Sequence, residues 1–237
     1  MQNKNYSLPL SILTIGIIIA GGIFVSKHEP EQKELVVSKG DGNIIIEVSP
    51  VNTNDHIQGN PDAEIIVLEF SDFECPYCQE FHTTMQQIMN EYGQTGQVAW
   101  VYRHFPLTES HFNAYSAALA SECAAYLGKK QEISNPFWQY ADRVFSDIPV
   151  NLSVENLTLQ AVNLGINESE FSQCLSDQKF AETVDQSIED GYKLAEIDSE
   201  FATPYNLLIS KSGIQTRISG SESYSGMKKI IDSLLAY

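Results

Sequence analysis

The chain has 237 residues, of which 43% are hydrophobic and 10% aromatic, which is enough to build one packed domain and argues against general disorder. Its 31 acidic and 14 basic residues give a net charge of −17. No basic cluster with interleaved aromatic residues occurs, so nucleic acid is excluded as the expected partner.

The N-terminal segment differs in composition from the rest. Residues 5–26 carry no charged side chain, and residues 8–25 are mostly aliphatic. As a helix, such a run rises about 27 Å, close to the thickness of bilayer hydrocarbon. We interpret residues 1–27 as a signal anchor, a single transmembrane helix. A cleaved signal peptide is the main alternative, and a buried core helix is disfavoured because no polar face alternates with the apolar one.

The next segment and the cysteine content bear on location. Residues 28–42 are polar, contain a proline and predict a linker. Four cysteines beyond an export-like segment favour an oxidising compartment. The sequence therefore predicts a domain at residues 43–237 on the extracytoplasmic side of the cell membrane.

The first half of this domain predicts a strand–helix–strand unit. Residues 43–48 predict a first strand, and residues 49–63 predict a loop. The β-branched run 64–70 (EIIVLEF) predicts a central strand buried on both faces. A helix follows and ends at Gly93. Residues 97–105 then predict a strand parallel to 64–70, because the connection through a helix is a right-handed crossover.

The second half predicts a helical insertion and a return to the sheet. Residues 107–197 have helical patterns, with Ser153 and Asn167 as expected N-caps. Residues 206–220 predict a hairpin with its turn at 211–213, and an amphipathic helix closes the chain. This order predicts an α/β fold with a small mixed sheet and an inserted helical subdomain.

Two cysteines lie at the predicted strand-to-helix boundary, in SDFECPYCQEFH (residues 71–82). Pro76 favours the first helical position, since its missing N–H would have no partner there. Cys75 then lies at the positive end of the helix dipole, which favours the nucleophilic thiolate. Cys78, one turn further, is expected to be buried and to resolve a mixed disulfide formed at Cys75. The spacing predicts two unlike thiols and a redox role.

Two other roles for the pair stay open. Cys75, Cys78 and His82 could hold a metal in a membrane-tethered carrier, although a structural zinc site needs four ligands. A purely structural disulfide would close too short a loop to stabilise much. As catalysts, His82, His104 and His111 are disfavoured, and they are expected to be packing or surface residues.

Several segments resemble the DsbA-like thiol–disulfide oxidoreductases, in particular the membrane-anchored bacterial branch of this thioredoxin-fold family: VLEFSDFECPYCQEFH, RHFPL, FSQCL and ATPYNLLIS. The resemblance runs from about Asp55 to the C-terminus. It implies a thioredoxin fold and an enzyme that introduces disulfides into reduced or unfolded exported polypeptides. It also implies a membrane redox partner for reoxidation, and we expect a monomer without a cofactor. A reductase or isomerase using the same centre is the alternative.

The resemblance also assigns residues by position. The family has a cis-proline facing the cysteines, and Thr203-Pro204 occupies its place; an ordinary proline at a strand start is the alternative. Glu69 occupies the place of a buried acidic residue that exchanges a proton with the second cysteine, unless it simply faces solvent. Tyr77 stands where the most oxidising members have histidine, so a weaker acidity is expected for Cys75.

The other two cysteines lie in the helical block. In an oxidising compartment, Cys123 and Cys174 are expected to pair as a structural disulfide. Two buried free thiols that pack as small hydrophobic groups are the alternative.

Overall fold

The computed structural model describes residues 48–146 and 151–236. Within them, five strands form one mixed sheet. The strands are β1 (His56–Gly59), β2 (Ile65–Ser71), β3 (Val98–His104), β4 (Tyr205–Ser210) and β5 (Gln215–Ser219). They lie side by side in the order β1-β3-β2-β4-β5. Only β2 and β3 run parallel, and the other neighbouring pairs are antiparallel.

Helices connect and cover these strands. They are α1 (Pro76–Ile88), α2 (Ala114–Lys130), α3 (Pro136–Ser146), α4 (Val154–Asn163), α5 (Glu168–Ser176), α6 (Ala181–Ile197) and α7 (Tyr224–Leu235). A π-helical turn, Met89–Gly93, extends α1. The predicted α/β architecture with a helical insertion is confirmed, and α2 to α6 form that insertion between β3 and β4.

Strand β2 lies at the centre of the sheet because its aliphatic run is buried on both faces, as the sequence predicts. Its residues alternate between two cores. Ile65 and Val67 pack under α1, α7 and the insertion, whereas Leu68 and Phe70 pack on the opposite face. By this alternation, Glu69 points to the same face as Ile65 and Val67, which is the face covered by α1.

Two helices of the insertion begin at capping residues that the sequence predicts. The Ser153 and Asn167 side chains accept hydrogen bonds from the N–H groups of Asn156 and Glu170, which confirms both predicted N-caps. Two neighbouring residues of α2 make contacts in different directions. Glu122 contacts histidines near the sheet, and Cys123 forms a disulfide with Cys174 of α5.

Some predicted elements differ from the structure. The first described strand, β1, lies inside the predicted loop 49–63, and Val48 is not in a strand. Strand β1 is short and contains one β-branched residue, so only its pairing with β3 defines it. Residues 107–113 form turns before the first helix of the insertion.

The predicted anchor (1–27), the linker (28–42) and most of the strand 43–48 lie outside the described residues. Among the residues that are described, no helix combines the length and apolar character needed to span a bilayer.

Candidate active site

Cys75 lies at the junction between β2 and α1. It is the N-cap of α1, with extended backbone angles (φ −77°, ψ 121°), and Pro76 takes the first helical turn. The local sequence fixes this boundary, because proline is well tolerated where helical N–H groups have no partner. Cys75 retains 4% of its accessible surface, whereas Cys78, one turn into the helix, has none. Both cysteines are therefore buried, and Cys78, the resolving position expected from the sequence, is the more completely enclosed of the two.

The two thiols also differ in acidity. A hydrogen bond with the Cys78 thiol lowers the pKa of Cys75 to about 6; burial opposes this shift, and the backbone N–H groups of Cys78 and Tyr77 add to it. Burial raises the pKa of Cys78 well above its ordinary value, and the charges of Cys75 and Glu69 act in the same direction. At neutral pH, Cys75 is the thiolate and Cys78 the thiol.

The loop before β4 covers the cysteine pair. The Thr203–Pro204 peptide bond is cis, and the carbonyl oxygen of Thr203 lies 3.5 Å from the Cys75 sulfur. Cys75 and Thr203 are 128 residues apart in the chain. The fold therefore brings backbone groups of this loop to the reactive sulfur, where an extended peptide could pair with them.

Glu69 is a buried carboxyl group on β2 beneath the helix. It retains 1% of its accessible surface, and the Trp100 indole N–H donates a hydrogen bond of 2.8 Å to it. Burial raises the pKa of Glu69 to about 7; the nearby Ser71 hydroxyl and the hydrogen bond from Trp100 oppose the shift, and the Cys75 charge adds to it. The side chain does not face solvent, and near neutral pH it is able both to give and to accept a proton.

Asn206 belongs to the same buried region and is not singled out by the sequence. It lies opposite Glu69 in the β2–β4 pairing and is fully buried. Neither its side-chain oxygen nor its nitrogen has a hydrogen-bond partner among the described residues. A polar strand residue two positions after Pro204 was the available signal.

Asp72 and His111 form a hydrogen-bonded pair next to the cysteines, and the sequence does not assign either of them to the site. The Asp72 N–H donates to the Cys78 sulfur at 3.4 Å, and its buried carboxylate accepts from His111 Nδ1 at 2.7 Å. Although partial burial opposes it, the pKa of His111 is raised by Asp72 and by the charge of Cys75. His111 is therefore electrostatically linked to the reactive thiol. The signal was an acidic residue three positions before a cysteine.

The remaining predicted residues lie apart from these contacts. Tyr77 is 62% exposed beside the cysteines, and its phenol, unlike an imidazole, has no cationic form. His82 bonds Asp142 through Nε2 at 2.7 Å, and the described residues contain no donor cluster formed by His82 with Cys75 and Cys78. The metal-carrier alternative stays a prediction for these residues, since Asp142 contacts only Nε2 of His82, and Nδ1 has no hydrogen-bond partner among the described residues. The Cys123–Cys174 disulfide lies within the insertion.

The arrangement suits thiol–disulfide exchange. An acidic sulfur at a helix N-terminus is a good leaving group and nucleophile, and a buried neighbour three residues later can close a disulfide with it. The fold and this pair define the class of thioredoxin-fold proteins with a Cys-x-x-Cys centre.

A family model described as thioredoxin matches residues 51–233, and the chain belongs to this family. Two solved structures support the DsbA-like form of the fold. Wolbachia pipientis α-DsbA1 is 24% identical, with a TM-score of 0.63, over 78% of this chain and 93% of that one. Oxidised BdbD from Bacillus subtilis is 23% identical, with a TM-score of 0.63, over 77% of this chain and 94% of that one. At these identities, the similarity concerns the fold.

One curated relative is a much longer protein, of which only a part matches this chain. The Na⁺/H⁺ antiporter NhaA 1 of Mycobacterium sp. (strain KMS) is 32% identical over 127 residues, which are 53% of this chain and 19% of the antiporter. The chain thus spans about a fifth of the length of that relative. The match concerns a part of the antiporter only.

Proposed function

We propose that this protein is an extracytoplasmic thiol–disulfide oxidoreductase that introduces disulfides into exported proteins through Cys75 and Cys78. The observation that carries this proposal is the contrast between the two thiols: the pKa of Cys75 is lowered to about 6, whereas that of the buried Cys78 is raised. A low pKa of Cys75 stabilises the reduced centre and so makes its disulfide a better oxidant.

The oxidising reaction starts from the Cys75–Cys78 disulfide. A substrate thiolate attacks the sulfur of Cys75, forming a mixed disulfide and releasing Cys78. Glu69, whose pKa is raised to about 7, supplies the proton that converts Cys78 to a thiol. A second substrate thiolate then attacks the substrate sulfur of the mixed disulfide, and Cys75 leaves as a thiolate. The substrate loses two electrons, and the centre gains them.

Substrate selection follows from the groups around Cys75. The Thr203 carbonyl lies beside the reactive sulfur, and Pro204 has no N–H, so the loop offers backbone acceptors to an extended polypeptide. Backbone pairing of this kind is independent of substrate sequence. It suits reduced or unfolded exported polypeptides as the substrate class.

The acidity of Cys75 predicts a moderate oxidant. The pKa of about 6 lies between the values near 3.5 and 7 that accompany a strong oxidant and a reductase of this fold. Tyr77 agrees with this position, because it supplies no cation to the thiolate.

The test is the reduction potential of the Cys75–Cys78 couple in the full chain in detergent, equilibrated with glutathione. A value between about −120 and −200 mV supports the oxidase. A value near −270 mV would make the protein a reductase, which is the alternative direction for the same centre. The absence of any reversible two-electron couple would contradict redox function altogether.

The cellular setting belongs to the proposal. Residues 1–27 would anchor the domain to the cell membrane with the active site outside, and a membrane redox partner would reoxidise the centre. We propose that the protein acts as a monomer. Modification of Cys75 in intact cells by a membrane-impermeant thiol reagent would support this location, and modification only after lysis would contradict it.

A further inference from the structure

Three metal-binding side chains converge away from the cysteine pair. They are His56 on the edge strand β1, His104 at the end of β3, and Glu122 on α2, and their ligand atoms all lie within 4.8 Å of one another. The Nε2 atoms of His56 and His104 lie 2.8 and 2.9 Å from the same carboxylate oxygen, Oε1 of Glu122. Because 66 and 18 residues separate the histidines from the glutamate, the sequence alone does not indicate this cluster.

We propose that His56, His104 and Glu122 form a binding site for a divalent transition metal, with Zn²⁺ as the ion that fits best. Two imidazole nitrogens and one carboxylate oxygen are a donor set that zinc uses with water as its fourth ligand. Imidazole donors favour such metals over Ca²⁺ and Mg²⁺, which take oxygen ligands.

The surroundings provide room for an ion and its water. A cavity of about 770 Å³ is lined by all three side chains, together with Asn54, Tyr126 and Lys179. Zinc at about 2.1 Å from each donor separates donors by about 3.4 Å. The two histidine–carboxylate contacts, now 2.8 and 2.9 Å, need to open by about half an ångström, and the two histidine donors, at most 4.8 Å apart, need to lie at the same separation of about 3.4 Å. The cluster is therefore close to the geometry that a bound ion requires.

Two further features of the histidines bear on metal binding. The His56 ring stacks on Phe137, with centroids 3.6 Å apart and planes at 4°, which fixes its direction. The His104 ring is buried, and its Nδ1 has no hydrogen-bond partner among the described residues. A neutral imidazole carries one proton, so coordination through Nε2 places that proton on Nδ1, for which the described residues supply no acceptor.

The ion would connect parts of the fold that are distant in sequence. His56 and His104 belong to the sheet, and Glu122 belongs to the insertion. A ligand bound only by the folded chain raises its stability, so Zn²⁺ should raise the melting temperature.

The test uses the full chain, free of affinity tags and in detergent, with Cys75 and Cys78 oxidised so that no thiolate is available. We expect about one equivalent of Zn²⁺ per chain after dialysis, and a higher melting temperature with Zn²⁺ than with a chelator. Co²⁺ should give visible absorption without a thiolate charge-transfer band. Failure to retain Zn²⁺ under these conditions would overturn the proposal.

Variants identify the ligands. His56→Gln, at a partly exposed position, should weaken Zn²⁺ binding at least about 10-fold, since a lost ligand costs no less than a lost supporting contact. Glu122→Gln should do the same. His82→Gln is the matched control and should bind normally. Equal binding by His56→Gln and the unchanged chain, or loss of binding in His82→Gln alone, would refute this site, and neither result affects the proposed redox function.

Discussion

The two cysteine pairs of this protein lie in different surroundings. Cys75 and Cys78 lie three positions apart at the start of α1, next to a buried carboxyl group and the Thr203 carbonyl. Cys123 and Cys174 are separated by 51 residues and join α2 to α5 among apolar side chains. In the first pair, the two thiols have different surroundings and therefore different pKa values. In the second pair, the disulfide closes a long loop and so lowers the conformational entropy of the unfolded chain. One pair suits exchange, and the other suits stability.

The largest expected effect follows from removing the reactive sulfur. In Cys75→Ser, the rate of dithiol oxidation should fall at least about 1,000-fold, because no mixed disulfide can form at an oxygen. The measurement is oxidation of a reduced peptide with two cysteines, with circular dichroism to verify folding. Retained oxidation in this variant would show that another site performs the reaction.

Removing the second pair should affect stability and leave exchange intact. For Cys123→Ala with Cys174→Ala, loop-closure entropy predicts a loss of up to about 4 kcal/mol in the free energy of unfolding. Denaturant unfolding measures it, and the unchanged chain with all disulfides reduced is the control. A shift in the reduction potential of Cys75–Cys78 would contradict the separation of the two pairs.

Glu69→Gln should change how stability depends on pH. In the folded chain, the pKa of Glu69 is raised from 4.5 to about 7, so its stabilisation is complete below pH 4.5 and lost as pH rises through 7. Glutamine cannot ionise and keeps an acceptor for Trp100. With Cys75 and Cys78 reduced, we expect the variant to be more stable at pH 8, by up to about 3 kcal/mol.

The matched control for that experiment is Glu64→Gln. Glu64 is exposed just before β2 and pairs with the exposed Lys211, so its replacement should leave the pH profile nearly unchanged. An identical profile for Glu69→Gln and the unchanged chain would show that Glu69 titrates normally.

Asn206→Leu tests the buried amide opposite Glu69. Its side chain lacks a partner among the described residues, so a side chain of similar shape without polar atoms should stabilise the chain by about 1 kcal/mol. Denaturant unfolding measures whether the free energy of unfolding rises or falls in the variant. A clear loss of stability would show that the amide binds something in the folded protein, such as ordered water.

The smallest expected effect concerns His111. Because its charge interacts with that of Cys75, His111→Gln should raise the pKa of Cys75 by a few tenths from its value of about 6. Thiolate absorbance in the ultraviolet, followed from pH 4 to 9, gives the midpoint. His82→Gln is the control, since His82 bonds Asp142 instead. A lower pKa in His111→Gln would contradict the interaction.

Features encoded in a few neighbouring residues were predictable from the sequence. The β-branched run of β2, Pro76 at the start of α1, and the caps Ser153 and Asn167 each act within one or two turns of chain. The same holds for the cysteine spacing. Resemblance added Thr203-Pro204 and Glu69, whose partners lie far away in sequence.

The features that sequence did not indicate depend on long-range packing. Strand β1 has a weak pattern of its own and is defined by pairing with β3. Asp72 and His111 become neighbours of the cysteines only after the loop at 105–113 folds back. Likewise, Asn206 is unusual only because it is buried opposite Glu69, and burial of one polar residue leaves no periodic signal.

The neighbouring residues Glu122 and Cys123 of α2 together restrict movement of this helix. Glu122 holds the helix to two histidines of the sheet, and Cys123 holds it covalently to α5. Rotating α2 about its axis, or tilting the insertion against the sheet, would break contacts at one of these points. If the proposed function holds, a substrate polypeptide would meet a preset surface, and the conformational entropy lost on docking would fall mainly on the substrate.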